Sequence, residues 1–385
     1  LLSLIYYAII SLKVGIIMNF IRENIVKIVT FIVILVVVII IFSFVFKGTG
    51  LSKANTYSQM EENLKAAAEK YANKNTKVLP KNENEQSKIN TDTLVNAEYI
   101  KELHSIEDEN VKCSGYVLIN KSSDNYKYTP YLKCGKYYET ISLVDYIKKN
   151  ETIVNSDDGL YKYGEKYVYR GENPNNYLKI EKNIYRIVEL DKDDVLKLIF
   201  VANTDDSYDY YDDYTWDDRY NIETDDYSGI NDYSKSRIKD KLTGLYKSQF
   251  FSDTERSFIK SYDICIGKKY VNDTSIDGVA ECSTKYPDQK IDLLNIYEYM
   301  RASIDPNCTN SNTASCSNYN YLRGICSVTL NAVADNTYQI YGVCNSVSNV
   351  SEANDLFSIN PAIYIDKNAL YAGGNGTGEN PYTIR

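Results

Sequence analysis

The feature that most limits what this chain can become is the segment IVTFIVILVVVIIIFSFVF, residues 28–46. It holds no charged side chain and lies between Lys27 and Lys47. About 20 apolar residues, each rising roughly 1.5 Å along a helix, span the ~30 Å hydrocarbon core of a bilayer. A helix buried in a soluble core is rarely so uniformly apolar. A cleaved signal peptide has a shorter apolar run, followed directly by a small-x-small site that is missing here. Residues 18–47, opening MNFIRENIVK, are therefore expected to be a single-pass transmembrane anchor. Residues 1–17, LLSLIYYAIISLKVGII, are apolar but broken by Lys13. They read as upstream sequence in the same frame, with a non-AUG start or an extra short membrane segment as the other readings.

Positive charges flank the span almost evenly, so charge alone does not orient it. Cysteines do. All eight follow residue 110 and fall in sequential couples, the pattern of disulfides formed in an oxidising space. The expected pairs are Cys113–Cys134, Cys265–Cys282, Cys308–Cys316 and Cys326–Cys344. Each closes a short loop that contributes about 2–3 kcal/mol when native geometry permits. Zinc is the rival use of cysteine, but there is no C-x-x-C and the single histidine is His104. The N-terminus is thus expected in the cytoplasm and the bulk of the chain outside the cell.

Acidic residues outnumber basic ones, 52 Asp plus Glu against 43 Lys plus Arg, which argues against a nucleic-acid partner. The chain has 38 tyrosines, 10 phenylalanines and one tryptophan. Tyrosine supplies apolar area with a hydroxyl that tolerates water, so it suits wet sheets and binding surfaces. H-E-x-x-H, G-x-S-x-G and a phosphate-binding P-loop are absent. His104 has no cysteine or serine partner in a recognisable nucleophile motif, and no enzyme is expected.

Beyond the anchor, SQMEENLKAAAEKYANKN (58–75) predicts a helix continuing the membrane span outward as a stalk. A short helix is expected over 91–103. The segment from Cys113 to Cys134 alternates around a turn at 122–125 and reads as a disulfide-clamped hairpin. Residues 48–150 form a stalk and small β subdomain on this reading. Residues 151–385 form a second, α+β domain with antiparallel sheets. Its expected strands are 166–170, 176–180, 184–190 and 194–201 as a meander, with helices over 231–250, from the Ser252/Glu255 capping box, and over 291–304. Strands return at CSVTLNA, NTYQIYGV and NPAIYID. The glycine turn GGNGTGENP then leads a last strand, YTI, back onto an early one.

YSQMEENLKAAAEKY followed by CSGYV…YLKC resembles the membrane-proximal part of type IV pilin-like proteins. The glycine cleavage site followed by Phe-Thr-Leu-x-Glu that precedes a pilin helix is absent around residues 18–30, so the resemblance implies an anchored stalk more than a polymerising subunit. From about residue 160 on, the order IYRIVEL…VLKLI, YTW, NDYSKSRIKDKL, SDTERSFI, IDLLNIYEYMRAS and INPAIYID resembles bacterial surface domains with a C-type-lectin-like core. That layout is related to the formylglycine-generating-enzyme fold. Where related domains have a Trp-rich W-x-L-R-S stretch this chain has NYNYLRGICSVTL, with Cys326 at a position commonly aromatic. The resemblance implies binding of a surface carbohydrate, a cell-wall component or a protein. A pilin-like structural subunit and an enzyme of the formylglycine-generating type are the alternatives.

The stretch YDYYDDYTWDDRYN, residues 208–221, is the candidate site. Asp212, Asp213, Asp217 and Asp218 are the candidate calcium ligands, calcium being the one cofactor considered. EF-hand spacing is absent, so a solvated acidic loop is the competing reading. Tyr211, Tyr214 and Tyr220 are the candidate ligand-binding aromatics. Trp216 is expected to be a core anchor burying ~150–250 Å².

Overall fold

Helix formers fill residues 57–74, and in the computed structural model they form α1, Tyr57–Lys74. The structure describes residues 56–82, 85–122, 125–204, 214–308, 319–324, 327–344 and 347–385. They divide into two compact units, the first ending at Tyr138 and the second running Glu139–Arg385. Among the described residues no helix is long and apolar enough to cross a membrane; the 28–46 segment lies outside them.

In the first unit, α1 is not the unbroken outward continuation that its composition predicts. Thr56 is extended (φ −141°, ψ 154°), and its hydroxyl accepts from the Gln59 N–H at 3.2 Å. A threonine that satisfies the orphan N–H groups of a first turn marks a helix start. Nor is α1 free of the body: Met60, Leu64, Ala67, Ala68 and Ala72 are buried in the unit's core. Their spacing puts them on one face, and the alanines let the sheet come close. That sheet runs β1 (Gln86–Asn90), β2 (Ser114–Ser122), β3 (Asn125–Cys134) and β4 (Tyr138–Glu139), with β1–β2 and β2–β3 antiparallel. Between β1 and β2, α2 (Thr91–Asn96) is shorter than the expected 91–103, ending where Glu98 turns to φ 60°. Cys113 and Cys134 are bonded, with Cα atoms 4.2 Å apart. Val117, Ile119 and Leu132 pack with them against α1.

The second unit opens on α3 (Leu143–Asn150) and centres on an eight-stranded sheet. Its early strands are β5 (Gly159–Tyr163), β6 (Lys166–Arg170), β7 (Tyr177–Ile180), β8 (Asn183–Leu190) and β9 (Leu196–Asn203). The expected meander is corrected at β6 and β7, which do not pair with each other. β9 takes one edge of β8; the other edge is shared by β7 along Asn183–Arg186 and β6 at Glu189 and Leu190. The intervening GENPNN turn is committed elsewhere. Asp158 accepts the Glu172 and Asn173 N–H groups, and the Gly171 N–H donates to the Ala302 carbonyl.

Next come β10 (Tyr214–Thr215), α4 (Arg237–Lys247), α5 (Asp253–Phe258), β11 (Tyr262–Cys265), β12 (Lys285–Gln289) and α6 (Ile296–Arg301). α4 starts six residues later than the 231–250 pattern, because Ser236 caps it through the Lys239 N–H. α5 carries the expected Ser252/Glu255 capping box. α6 is shorter than the predicted 291–304. Asp292 is held in a β-bridge with Ala362, and the helix begins only after the Asn295 cap.

The chain closes with β13 (Ser327–Ala332), β14 (Gln339–Cys344), β15 (Val347–Glu352), β16 (Leu356–Phe357), β17 (Ala362–Ile365), β18 (Tyr371–Gly373) and β19 (Tyr382–Ile384). β17 extends the large sheet beside β9. β19 pairs parallel with β7, Tyr382 opposite Leu178, so the chain end returns to an early strand as its glycine turn predicts. The architecture is mixed α+β with mostly antiparallel sheets.

Candidate binding site

Trp216 follows β10 and is fully buried; its indole N–H donates to the Thr329 carbonyl at 3.2 Å, and its ring meets Tyr233 edge-on. Its carbonyl accepts the Ile238 N–H at 3.0 Å, which ties the start of α4 to the same point. The next residue, Asp217, is also fully buried. Its carboxylate takes the Arg219 guanidinium at 2.6 Å and the N–H groups of Arg219 and Ile230 at 3.1 and 3.2 Å. The calcium candidate Asp217 thus has both carboxylate oxygens engaged by donors of its own chain. Asp218 is ion-paired with Arg237.

From this knot a loop runs out and back, 218–231. Asn221 is 2 % exposed and bonds four ways. Its amide donates to the Gly229 and Thr337 carbonyls at 2.6 and 3.2 Å, and its oxygen accepts from the Glu223 N–H and the Thr337 hydroxyl at 2.9 and 3.1 Å. Asn231 is 1 % exposed. Its amide donates into the carbonyls of the 333–339 turn, 2.7 Å at Gln339, and its oxygen accepts from Lys268 at 2.5 Å. Both ends of the loop are thus fastened to the β13–β14 turn. Gly229 (φ 85°) permits the return, since a Cβ there would lie 2.3 Å from the Asp217 carbonyl.

On this fixed base Tyr220 and Tyr227 are 46 % and 69 % exposed, and their rings cross edge to face with centroids 5.7 Å apart. The Tyr220 hydroxyl donates to Asp225, which raises the phenol's pKa. Asp226 accepts from the Thr224 hydroxyl at 2.7 Å and the Ser228 N–H at 2.9 Å; these bonds hold its carboxyl below the ordinary range. Glu223 accepts from the Thr337 N–H at 3.1 Å. A rigid aromatic corner fringed by oxygen acceptors can stack on a sugar ring and bond its hydroxyls.

Of the residues singled out by sequence, Tyr220 is in this corner. Tyr214 pairs with Phe357 in the β10–β16 ladder, its ring covered by the Lys241 ammonium at 3.8 Å. Tyr211, Asp212 and Asp213 lie outside the described residues. Tyr227, Asn221 and Asn231 were missed; a signal was present in NIETDDYSGIN, where two asparagines bracket an acidic turn ending in Ser-Gly. Cys265–Cys282 is bonded, Cα atoms 4.4 Å apart. Cys308 is also disulfide-bonded, but the pairs Cys308–Cys316 and Cys326–Cys344 involve side chains outside those described.

Deeper in the unit lies a cluster that no motif announced. Lys197, on β9, is almost wholly buried, 2.8 Å from Glu298 and 3.1 Å from Asp292. Tyr364 donates to Asp292 at 2.7 Å. Burial works against the Lys197 charge, but the two carboxylates more than offset it and hold the ammonium above its ordinary pKa. One cation cannot serve two carboxylates fully. Burial pushes Asp292 up to about 7, Lys197 opposing and Glu298 adding to the rise. Lys269 makes a second such centre with Glu281 and Asp273 at 3.4 and 3.3 Å. Among the described residues no group of three or more His, Cys, Asp or Glu side chains is placed to hold a metal ion. No family model, curated protein or solved structure matches this chain.

Proposed function

We propose that the second unit is a non-catalytic binding module that takes a surface glycan on the Tyr220–Tyr227 corner, carried outside the cell on a chain anchored through residues 28–46. The observation that carries this reading is the pair of exposed rings crossing at 5.7 Å on a loop fastened by two buried asparagines. Rigid aromatic area costs little conformational entropy on binding, which is why such surfaces recognise ligands well. The C-type-lectin-like reading is supported by the return of β19 onto β7 and by the tryptophan at the hand-over from strands to α4.

For the first unit, a pilin-like layout is favoured by one feature, the packing of α1 across an antiparallel sheet clamped by Cys113–Cys134. The formylglycine-generating alternative needs a reactive thiol pair; Cys113, Cys134, Cys265, Cys282 and Cys308 are all in disulfides.

The test is an array of glycans and cell-wall fragments probed with the full chain in detergent micelles, with and without chelator. Binding that disappears in Tyr227→Ala supports the reading. No glycan binding, or binding indifferent to Tyr227→Ala, removes it. Loss on chelation would instead direct attention to Asp212 and Asp213.

A further inference from the structure

The corner has a charge as well as a shape. Its carboxylates, Glu223, Asp225 and Asp226, are satisfied only by neutral donors: Thr337, the Tyr220 hydroxyl, and Thr224 with Ser228. Arg219 is the one Lys or Arg between residues 217 and 232, and its guanidinium is turned back onto buried Asp217. Cations on the adjoining segments are also engaged, Lys268 with Asn231 and Lys235 with Asp232. Among the described residues Glu223, Asp225 and Asp226 make no ion pair; the Lys268 charge acts on Glu223, so Asp225 and Asp226 carry most of the corner's negative charge. An ammonium is attracted to the face of a tyrosine and to a carboxylate by the same sign of field, so the two effects add.

We infer that the Tyr220–Tyr227 corner selects glycans bearing free amino groups, binding the ammonium of an amino sugar against the tyrosine faces and the Asp225 edge. The inference rests on the glycan-platform reading and adds the ligand's charge to it. A neutral N-acetylated sugar of the same ring shape keeps the stacking and loses the electrostatic attraction.

The experiment compares a glucosamine hexamer with an N-acetylglucosamine hexamer, using the full chain in micelles at low salt. The free-amine oligomer is expected to bind about three- to tenfold more tightly, the range for a cation near an exposed aromatic face supplemented by carboxylates. Asp225→Asn is expected to bring the ratio of the two affinities towards one, whatever it does to the affinity of either oligomer alone. Asparagine tolerates the φ of 55° found at this position, so the loop keeps its path. Raising salt to 0.5 M is expected to shrink the preference in the parent chain. Equal affinity for the two oligomers, with both lost in Tyr227→Ala, would overturn the ammonium inference while leaving the platform standing. Absence of binding to either oligomer, and to every other glycan, would remove both. A lysine hexapeptide bound more tightly than the glucosamine hexamer would overturn the glycan as source of the ammonium.

Discussion

The two units solve the same problem by different means. The first, ending at Tyr138, buries an apolar helix face on a sheet and adds one disulfide. Among its described residues the buried polar side chains are Glu61, Thr91, Ser105 and Thr129, with no Lys or Arg. The second buries Arg186, Lys197, Lys269 and Arg301 together with Asp217, Glu255, Glu281, Asp292 and Glu298. A small unit has little interior, so a covalent link that limits the unfolded chain is an effective way to stabilise it. A larger unit can enclose charges, but only in sets whose members depend on one another. Both units carry a disulfide, Cys113–Cys134 in the first and Cys265–Cys282 in the second; what differs is that the second also encloses charged networks, whose members depend on one another.

The strongest way to break this contrast is to remove Lys197. Lys197→Met leaves Asp292 and Glu298 buried without their cation, and is expected to cost about 3–5 kcal/mol at pH 7. The loss should shrink as pH falls through about 7, where Asp292 takes up its proton. Urea melts of the full chain in micelles, followed separately for the two units by hydrogen exchange, would show the second unit alone affected.

The reciprocal change is Cys113→Ala with Cys134→Ala. A bridge across a sequence separation of 21 is expected to contribute about 3 kcal/mol, and its loss should confine earlier exchange to the first unit.

A subtler test uses pH. Folded Asp292 holds its proton up to about pH 7, whereas the unfolded carboxyl releases it near its ordinary 3.8. Folding therefore takes up a proton between those values, and the second unit loses stability as pH rises through that window, with no further loss from this group above it. Asp292→Asn is expected to flatten the decline, gaining on the order of 2 kcal/mol over the parent at pH 8 relative to pH 4. A parallel pH profile in the variant would show that Asp292 does not set the slope. The smallest effect is expected from Ser252→Ala, which removes one half of a capping box on α5 and should cost about 1 kcal/mol in the second unit.

Local signals carried well where the deciding interaction is local. The Ser252/Glu255 box, the hairpin between Cys113 and Cys134, and the glycine turn before β19 each involve residues close in sequence or a pattern of period two. The meander failed because β6 and β7 share one edge of β8, and the turn between them is bonded to Asp158 and to the Ala302 carbonyl, the latter far along the chain. Composition counts Asp217 among the carboxylates without saying that it is bonded to Arg219. The Tyr220–Tyr227 corner was half legible: one of its rings lay in the singled-out stretch, and its partner lay six residues beyond it.

By itself, the sequence determined the apolar span at 28–46, the mixed α+β character, the positions of most strands and the burial of its single tryptophan. Those follow from hydrophobic periodicity and from turn and cap chemistry, which act over a few residues. The tertiary structure alone decided that Lys197 meets Asp292 and Glu298, that Asn221 and Asn231 reach the 333–339 turn, and that Asp217 pairs with Arg219 while Asp225 takes the Tyr220 hydroxyl. Each of those depends on which groups burial brings within about 3 Å, a distance that spacing along the chain does not encode.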